Sequence, residues 1–261
     1  MRKKKAVGWY GVCRKVFYLI FLCPFELLRE ALRRNEICKK YTGIKKYHNI
    51  HQGKRCFIVA TGPSLTQEDY ILLKDEITIG VNGLCLWFDE LKLETNYFVV
   101  SDDDVYGRVG KTLEETKKTK VFISERVCKT QEVNTRFLVF PVNIWNRFMT
   151  NITRKKFSKD FAVCSYDEET VVFHAIQLAV YMGITEIYLI GTDCNYKQTK
   201  IYAVDHGKKV DQDVGNKMLL TYEIVRNYEE KCGFKVFNAT RGGMLEVFPR
   251  VCLEEIIVNV I

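Results

Sequence analysis

The chain has 261 residues, 47% apolar and 28% charged, which is the composition of one globular domain with room for a small appendage. An apolar share of that size excludes a disordered chain, and sixteen glycines with four prolines exclude a fibrous one. The net charge of +8 is uneven: residues 1–55 hold fifteen Lys and Arg against three acids, a local +12, and the remainder carries −4. That distribution argues against a nucleic-acid enzyme, whose basic face belongs to the folded body.

The first fifty residues form a basic amphipathic segment. A cluster of Lys and Arg at 2–5 precedes WYGVCRKVFYLIFLCPFELLREALRR. Its apolar core, Val16–Leu28, is interrupted by Pro24 and Glu26 and is shorter than the ~20 residues needed to cross a bilayer. A signal peptide would need a small-residue cleavage site, and a charged helix follows instead. Two readings stay open. Either the helix packs on its own domain or a second subunit, or Trp9, Tyr10, Phe17, Tyr18, Phe21 and Phe25 beside basic residues lie on an anionic membrane face. The second places the protein in the cytoplasm, peripheral on the inner face of the membrane.

From residue 51 to 261 the pattern becomes regular. Apolar runs at 55–60, 77–81, 97–100, 120–124, 137–140, 186–191 and 234–238 read as strands buried along their whole length. Helix-length stretches fall between the earlier ones, at 65–76, 84–94 and 104–118. Longer helical patterns cover 167–182, with Val171, His174, Ala175, Leu178 and Ala179 on one face, and 213–231. Strands alternating with helices predict an α/β, Rossmann-like, mostly parallel sheet with helices on both faces. The ten cysteines (13, 23, 38, 56, 85, 128, 164, 194, 232, 252) include no C-x-x-C pair and lie mostly in apolar runs. They read as reduced, buried thiols, with no paired-cysteine zinc site.

In parallel sheets ligands bind at the carboxyl ends of the strands, where strand order reverses. The residues just after the strands are polar: Thr61-Gly62-Pro63-Ser64, Asn82-Gly83, Ser101-Asp102-Asp103-Asp104, Gly191-Thr192-Asp193-Cys194-Asn195-Tyr196 and Asn238-Ala239-Thr240-Arg241. Together they describe a crevice suited to a nucleotide. The first loop is neither a G-x-G-x-x-G fingerprint nor a P-loop, and alone it also fits an ordinary turn. The acidic run fits an Asp102/Asp104 metal pair or helix N-capping by one carboxylate. His206, in a polar loop beside Asp205, fits a general base or a solvated histidine. His48, His51 and His174 read as structural.

FIVATGPSL, VN after the second strand, AVYMGITEIYLIGTD, the Tyr/His-bearing loop and FNATRGGMLEVFPR together resemble two related groups. One is the bacterial sialyltransferases of glycosyltransferase family 42. The other is the broad MptE-like group, which includes pterin diphosphokinases, flagellar-associated Maf-type proteins and products of polysaccharide clusters. The resemblance covers roughly residues 53–250.

Carried over by position, it implies a nucleotide site made by Thr61, Gly62, Pro63, Ser64, Asn82, Ser101, Asp102, Thr170, Asp193, Asn195 and Tyr196. It also implies Tyr202 on the leaving phosphate and His206 as general base. Departures stand at Thr61, Ser101 and Val171, where the sialyltransferases have other residues. The implied activity is an inverting, metal-independent transfer of a sugar from a nucleotide-activated, plausibly CMP-linked donor to a glycan or lipid-linked glycan acceptor. No cofactor is then required. The alternatives are a diphosphokinase using ATP and Mg²⁺, held by Asp102, Asp104 or Asp193, and a non-catalytic nucleotide-binding accessory protein. Homo-oligomers are compatible with either.

Overall fold

The computed structural model describes residues 13, 16–35, 37–149, 151–195, 202–203 and 213–258. Its centre is a seven-stranded sheet in the order β5-β4-β3-β2-β1-β8-β9, every pairing parallel. The strands are β1 (Arg55–Val59), β2 (Thr78–Val81), β3 (Tyr97–Val100), β4 (Lys120–Ser124), β5 (Leu138–Phe140), β8 (Glu186–Ile190) and β9 (Lys235–Asn238). Between them, β6 (Val142–Asn143) and β7 (Ser165–Tyr166) pair as a small separate ribbon. This is the expected α/β, Rossmann-like sheet.

Because side chains alternate along a strand, each run of apolar residues feeds two cores. Cys56, Ile58, Ile79, Val81, Val99, Phe122, Ile187 and Leu189 pack on one face. Phe57, Val59, Phe98, Val100, Val121, Ile123, Tyr188 and Ile190 pack on the other. Uniformly apolar strands are thus what a sheet covered on both sides needs.

The helices that matter here are α1 (Cys23–Arg34), α2 (Gln67–Ile71), α3 (Asp103–Glu115), α4 (Val171–Tyr181), α5 (Val214–Arg226) and α6 (Leu253–Val258). Two early crossovers are shorter than their sequence pattern suggests. Only five residues of 65–76 are helical, opened by a capping box between Thr66 and Asp69. In 84–94 a 3₁₀ turn leads into one helical turn that stops at Lys92, held left-handed at φ 50°. The pattern over 213–231 also divides, into α5 and a turn at Glu229–Cys232.

Helix α4 departs from the one-faced expectation. Phe173, Ile176 and Gln177 are buried along with His174, Ala175, Leu178 and Ala179, since the helix lies under the sheet with α5 on it. Gln177 is tolerated there because its amide is fully engaged. Its Oε1 accepts from the amides of Ser158 and Tyr166, and its Nε2 donates to the carbonyls of Tyr166 and Phe173.

The N-terminal region has two faces. Tyr18 is buried and stacks on Phe148 at 4.1 Å between ring centroids. Arg33 is buried, donating to the carbonyl of Val163, and Asn143 donates to Glu30. Phe17, Ile20, Phe21, Phe25, Leu27 and Leu28 point away from the domain and are exposed, Phe25 by 65%. Further on, Ile44 and Tyr47 enter the main core, and His51 lies 2.7 Å from the Tyr97 hydroxyl. His48, His51 and His174 all have structural contacts. No helix among the described residues is long and apolar enough to cross a membrane.

Candidate functional site

All seven main strands run the same way, so their carboxyl ends share one edge. Strand order reverses between β1 and β8, and there the post-strand loops meet. The Gly62 amide donates to the Gly191 carbonyl at 2.7 Å. Asp193 Oδ2 accepts from the Ser64 hydroxyl at 2.8 Å and from the Ser64 amide at 3.4 Å. A Cβ on Gly62 would lie 2.0 Å from Asp193 Oδ2 and 2.4 Å from the Gly191 carbonyl oxygen, so only glycine fits. Gly191 itself sits at φ +67°, in the left-handed region.

A cavity of about 570 Å³ opens over this junction. That is within the usual size of small-molecule sites, roughly 300–1,000 Å³. Thr61, Gly62, Pro63 and Asn82 line one side, with Asp193 and Asn195 from the β8 loop. Ser101, Asp102 and Thr170 also line it, as does Tyr202. Ser64 is not among the lining residues, because its hydroxyl is turned to Asp193. Tyr196 and His206 lie outside the described residues. The remaining sequence candidates converge on one cavity.

The details assign parts. Burial pushes the Asp193 carboxyl above its ordinary value, opposed by the two bonds from Ser64. Thr61 Oγ1 is buried without a hydrogen-bond partner among the described residues, although Thr61 lines the cavity. Buried hydroxyls are ordinarily bonded, so a ligand acceptor or donor suits it. The Thr61 carbonyl accepts from the Ala203 amide at 2.8 Å, which fastens the Tyr202 segment to this rim. Burial pushes the Tyr202 phenol up to about 12, with Arg108 opposing and Asp102 reinforcing.

Asp102 makes the capping contact expected of the acidic run. Its Oδ1 accepts from the amides of Asp104 and Val105 at the start of α3. Asp104 pairs with Arg108 at 2.9 Å. The two carboxylates of a D-x-D pair therefore have other partners. Thr170 caps α4 in the same way, accepting from the Val172 amide at 3.3 Å.

A second group of residues stands on the far wall, and sequence reasoning does not single it out. Arg126 and Arg147 both donate to Asp167 Oδ2, at 2.7 and 2.5 Å. Asp167 Oδ1 lies 3.4 Å from His174 Nε2, and His174 Nδ1 lies 2.7 Å from the Ser165 hydroxyl. The rule that picks out residues after strands extends to Arg126, which follows β4. Arg147 lies in a one-turn helix, Trp145–Phe148, and Asp167 follows the two-residue strand β7, elements too short to be read from the sequence, so neither carries that signal.

Residues 33–199 match a family described as 6-hydroxymethylpterin diphosphokinase MptE-like. Among solved structures, a MAf glycosyltransferase from Magnetospirillum magneticum AMB-1 matches with a TM-score of 0.52 and 17% identity. The match covers 82% of this chain and 38% of that one, so the chain spans well under half of that protein, and the likeness is one of fold. Streptococcus suis SuiB bound to S-adenosylmethionine overlaps 80% of this chain and 56% of that one at 12% identity. Its TM-score of 0.21 is too low to carry an argument. No curated protein matches the sequence significantly.

Two outcomes test this geometry. Gly62→Ala should abolish ligand binding while the far wall keeps its contacts, since its methyl group displaces Asp193 from Ser64; calorimetric titration with a nucleotide that binds the wild type measures it. The second concerns Asp167. Burial alone would raise its carboxyl, but the hydrogen bond and charge of His174, then Arg147, outweigh this and hold it at about 2. A carboxyl depressed in the folded state stabilises that state above its unfolded value near 4 and ceases to do so as the pH falls toward 2. Asp167→Asn should therefore cost about 2 kcal/mol at neutral pH, and the gap to wild type should close between pH 4 and 2 in denaturant unfolding.

Proposed function

The chain belongs to the MptE-like family, and we propose that it acts as a glycosyltransferase on a nucleotide-activated sugar, CMP-linked in the manner of the sialyltransferases it resembles. The observation that carries this reading is Tyr202. Tyr202 lines the cavity, its neighbour Ala203 is hydrogen-bonded to the Thr61 loop, and its phenol is protonated at neutral pH as any tyrosine is, burial moving its titration further up. A neutral phenol there is a donor suited to a phosphate oxygen that gains charge as the glycosidic bond breaks. Thr61, Gly62, Asn82 and Asp193 would hold the nucleotide on the β1/β8 rim.

The chemistry is a single displacement. The acceptor hydroxyl oxygen attacks the anomeric carbon, the bond from that carbon to the phosphate oxygen breaks, and the nucleotide leaves with the electron pair. The hydroxyl proton goes to His206, which follows Ala203 closely in the sequence. Because Asp102 is taken up with capping and Asp104 with Arg108, the reading routes no step through them. The acceptor is a cell-surface or lipid-linked glycan.

The family's own description favours a second reading, a diphosphokinase using ATP and Mg²⁺. Thermal melts with CMP, CDP, UDP, GDP and ATP, with and without Mg²⁺, separate the two. A hundredfold excess of ligand over Kd adds about 2.7 kcal/mol to stability. A shift with a pyrimidine nucleotide independent of Mg²⁺ is expected; a shift with ATP alone, and only with Mg²⁺, would favour the kinase. With the true donor and acceptor, His206→Ala should lose about 10²–10⁴ in kcat with nucleotide binding nearly intact, and Tyr202→Phe should lose less. A protein that binds the nucleotide and transfers nothing would be an accessory subunit.

We also propose that residues 1–50 hold the protein against an anionic membrane face in the cytoplasm. Exposed Phe17, Ile20, Phe21, Phe25 and Leu28 recur three or four positions apart, so they share one helical face. The local charge of +12 over residues 1–55 complements anionic headgroups. Each basic residue near such a surface contributes about 1 kcal/mol, an attraction that salt weakens. The full chain should co-sediment with phosphatidylserine-containing vesicles at low salt and be released at high salt, and Phe21→Ser with Phe25→Ser should reduce the bound fraction severalfold. Failure of the wild type to co-sediment would overturn this.

A further inference from the structure

The wall opposite the nucleotide rim has no part in the reading above. Arg126 follows β4, and Arg147 lies in the one-turn helix Trp145–Phe148. Both line the cavity, their side chains 46% and 48% exposed. Both are fixed by one buried carboxylate, Asp167, only 5% exposed, which His174 and Ser165 support from behind. Two guanidinium groups share one carboxylate, so the trio carries a net positive charge toward the cavity.

On this wall Glu168 is paired with Lys155 at 2.5 Å and Lys129 adds a cation, while the exposed Glu169 and the carboxylates of Asp102, Asp103 and Asp193 also line the cavity, so the positive charge is local to the arginine wall. The amino-terminal end of α4, an eleven-residue helix, reaches the same wall at Thr170, Val171 and Val172. Helix N-termini and forked guanidinium donors both favour oxyanions.

In the sheet order β4 and β8 stand four strand spacings apart, roughly 19 Å. The cavity spans that edge. A ligand that bridges this span would rest its nucleotide end on the β1/β8 rim and bring a second charged group to the β4 side.

We propose that Arg126 and Arg147 form an oxyanion subsite for an anionic group, phosphate or carboxylate, carried by the ligand beyond its nucleotide end. Asp167 is a positioning residue: it orients both guanidinium groups and keeps them from folding back into solvent. The inference shares its cavity with the transferase reading, but it is tested by binding rather than transfer.

Titration calorimetry on the full chain, with inorganic pyrophosphate in one arm and glucuronate in the other, distinguishes the two anions. One of them should bind the wild type, with an affinity that falls as salt rises. Arg126→Gln and Arg147→Gln should each weaken that anion at least tenfold, while binding of cytidine, which carries no anion, stays unchanged. Removing one arginine leaves Asp167 paired with the other and with His174. Arg126→Lys and Arg147→Lys keep both charges and should fall between wild type and the Gln variants, since lysine lacks the fork.

Binding of neither anion, or equal binding by wild type and all four variants, would overturn the proposal. A protein inactive with every nucleotide sugar, yet binding pyrophosphate through these arginines, would sink the transferase reading and leave the subsite standing.

Discussion

The site depends on one close approach. Where strand order reverses, the loops after β1 and β8 come together so tightly that Gly62 bonds directly to the Gly191 carbonyl. The loop after β9 closes in from the other side. A Cβ on Gly243 would lie 2.7 Å from the Asp193 Cα, and the Met244 amide donates to the Asp193 carbonyl. Three loops thus nest with almost no side-chain volume between them. Their backbone polar groups are satisfied by one another, and the Thr61 carbonyl is left to fasten the segment that brings Tyr202 to the cavity. Glycine at 62 is required by space; at 191 space and a left-handed backbone both require it, since a Cβ there would lie 2.5 Å from the Ala60 carbonyl oxygen.

Opposite this backbone-built rim stands a wall built from side chains. A buried carboxylate is costly unless paired and hydrogen-bonded. Asp167 meets that demand with two arginines on one oxygen and a histidine near the other. The arrangement exposes positive charge to the cavity while hiding the negative charge that organises it. Gln177, one turn along α4 from His174, is equally fully bonded, so the interior beneath the wall carries polar groups without leaving them unpaired.

The N-terminal segment packs against the arginine wall. Tyr18 stacks on Phe148, which belongs to the same single helical turn as Arg147. The inward face of the helix therefore braces the cavity wall, and the outward face leaves its aromatic and aliphatic residues uncovered. The two readings that the sequence leaves open for this segment are not exclusive: packing on its own domain is what presents the opposite face to the outside.

The alternation of wholly apolar strands with helices was enough to determine a parallel sheet, because a strand covered on both faces needs apolar residues at every position. The polar loops after those strands were legible for the same reason, since parallel strands put all their carboxyl ends on one edge. Capping by Asp102 was one of two local readings, and the α3 amides supply its partners. What only the tertiary structure could decide was which distant residues share a charge. Arg126 and Asp167 are 41 positions apart, and Arg147 and Asp167 are 20 apart. No periodicity links them. They meet because β4, the β6–β7 ribbon and the start of α4 are packed side by side, and a buried carboxylate there had to find cations wherever the fold supplied them.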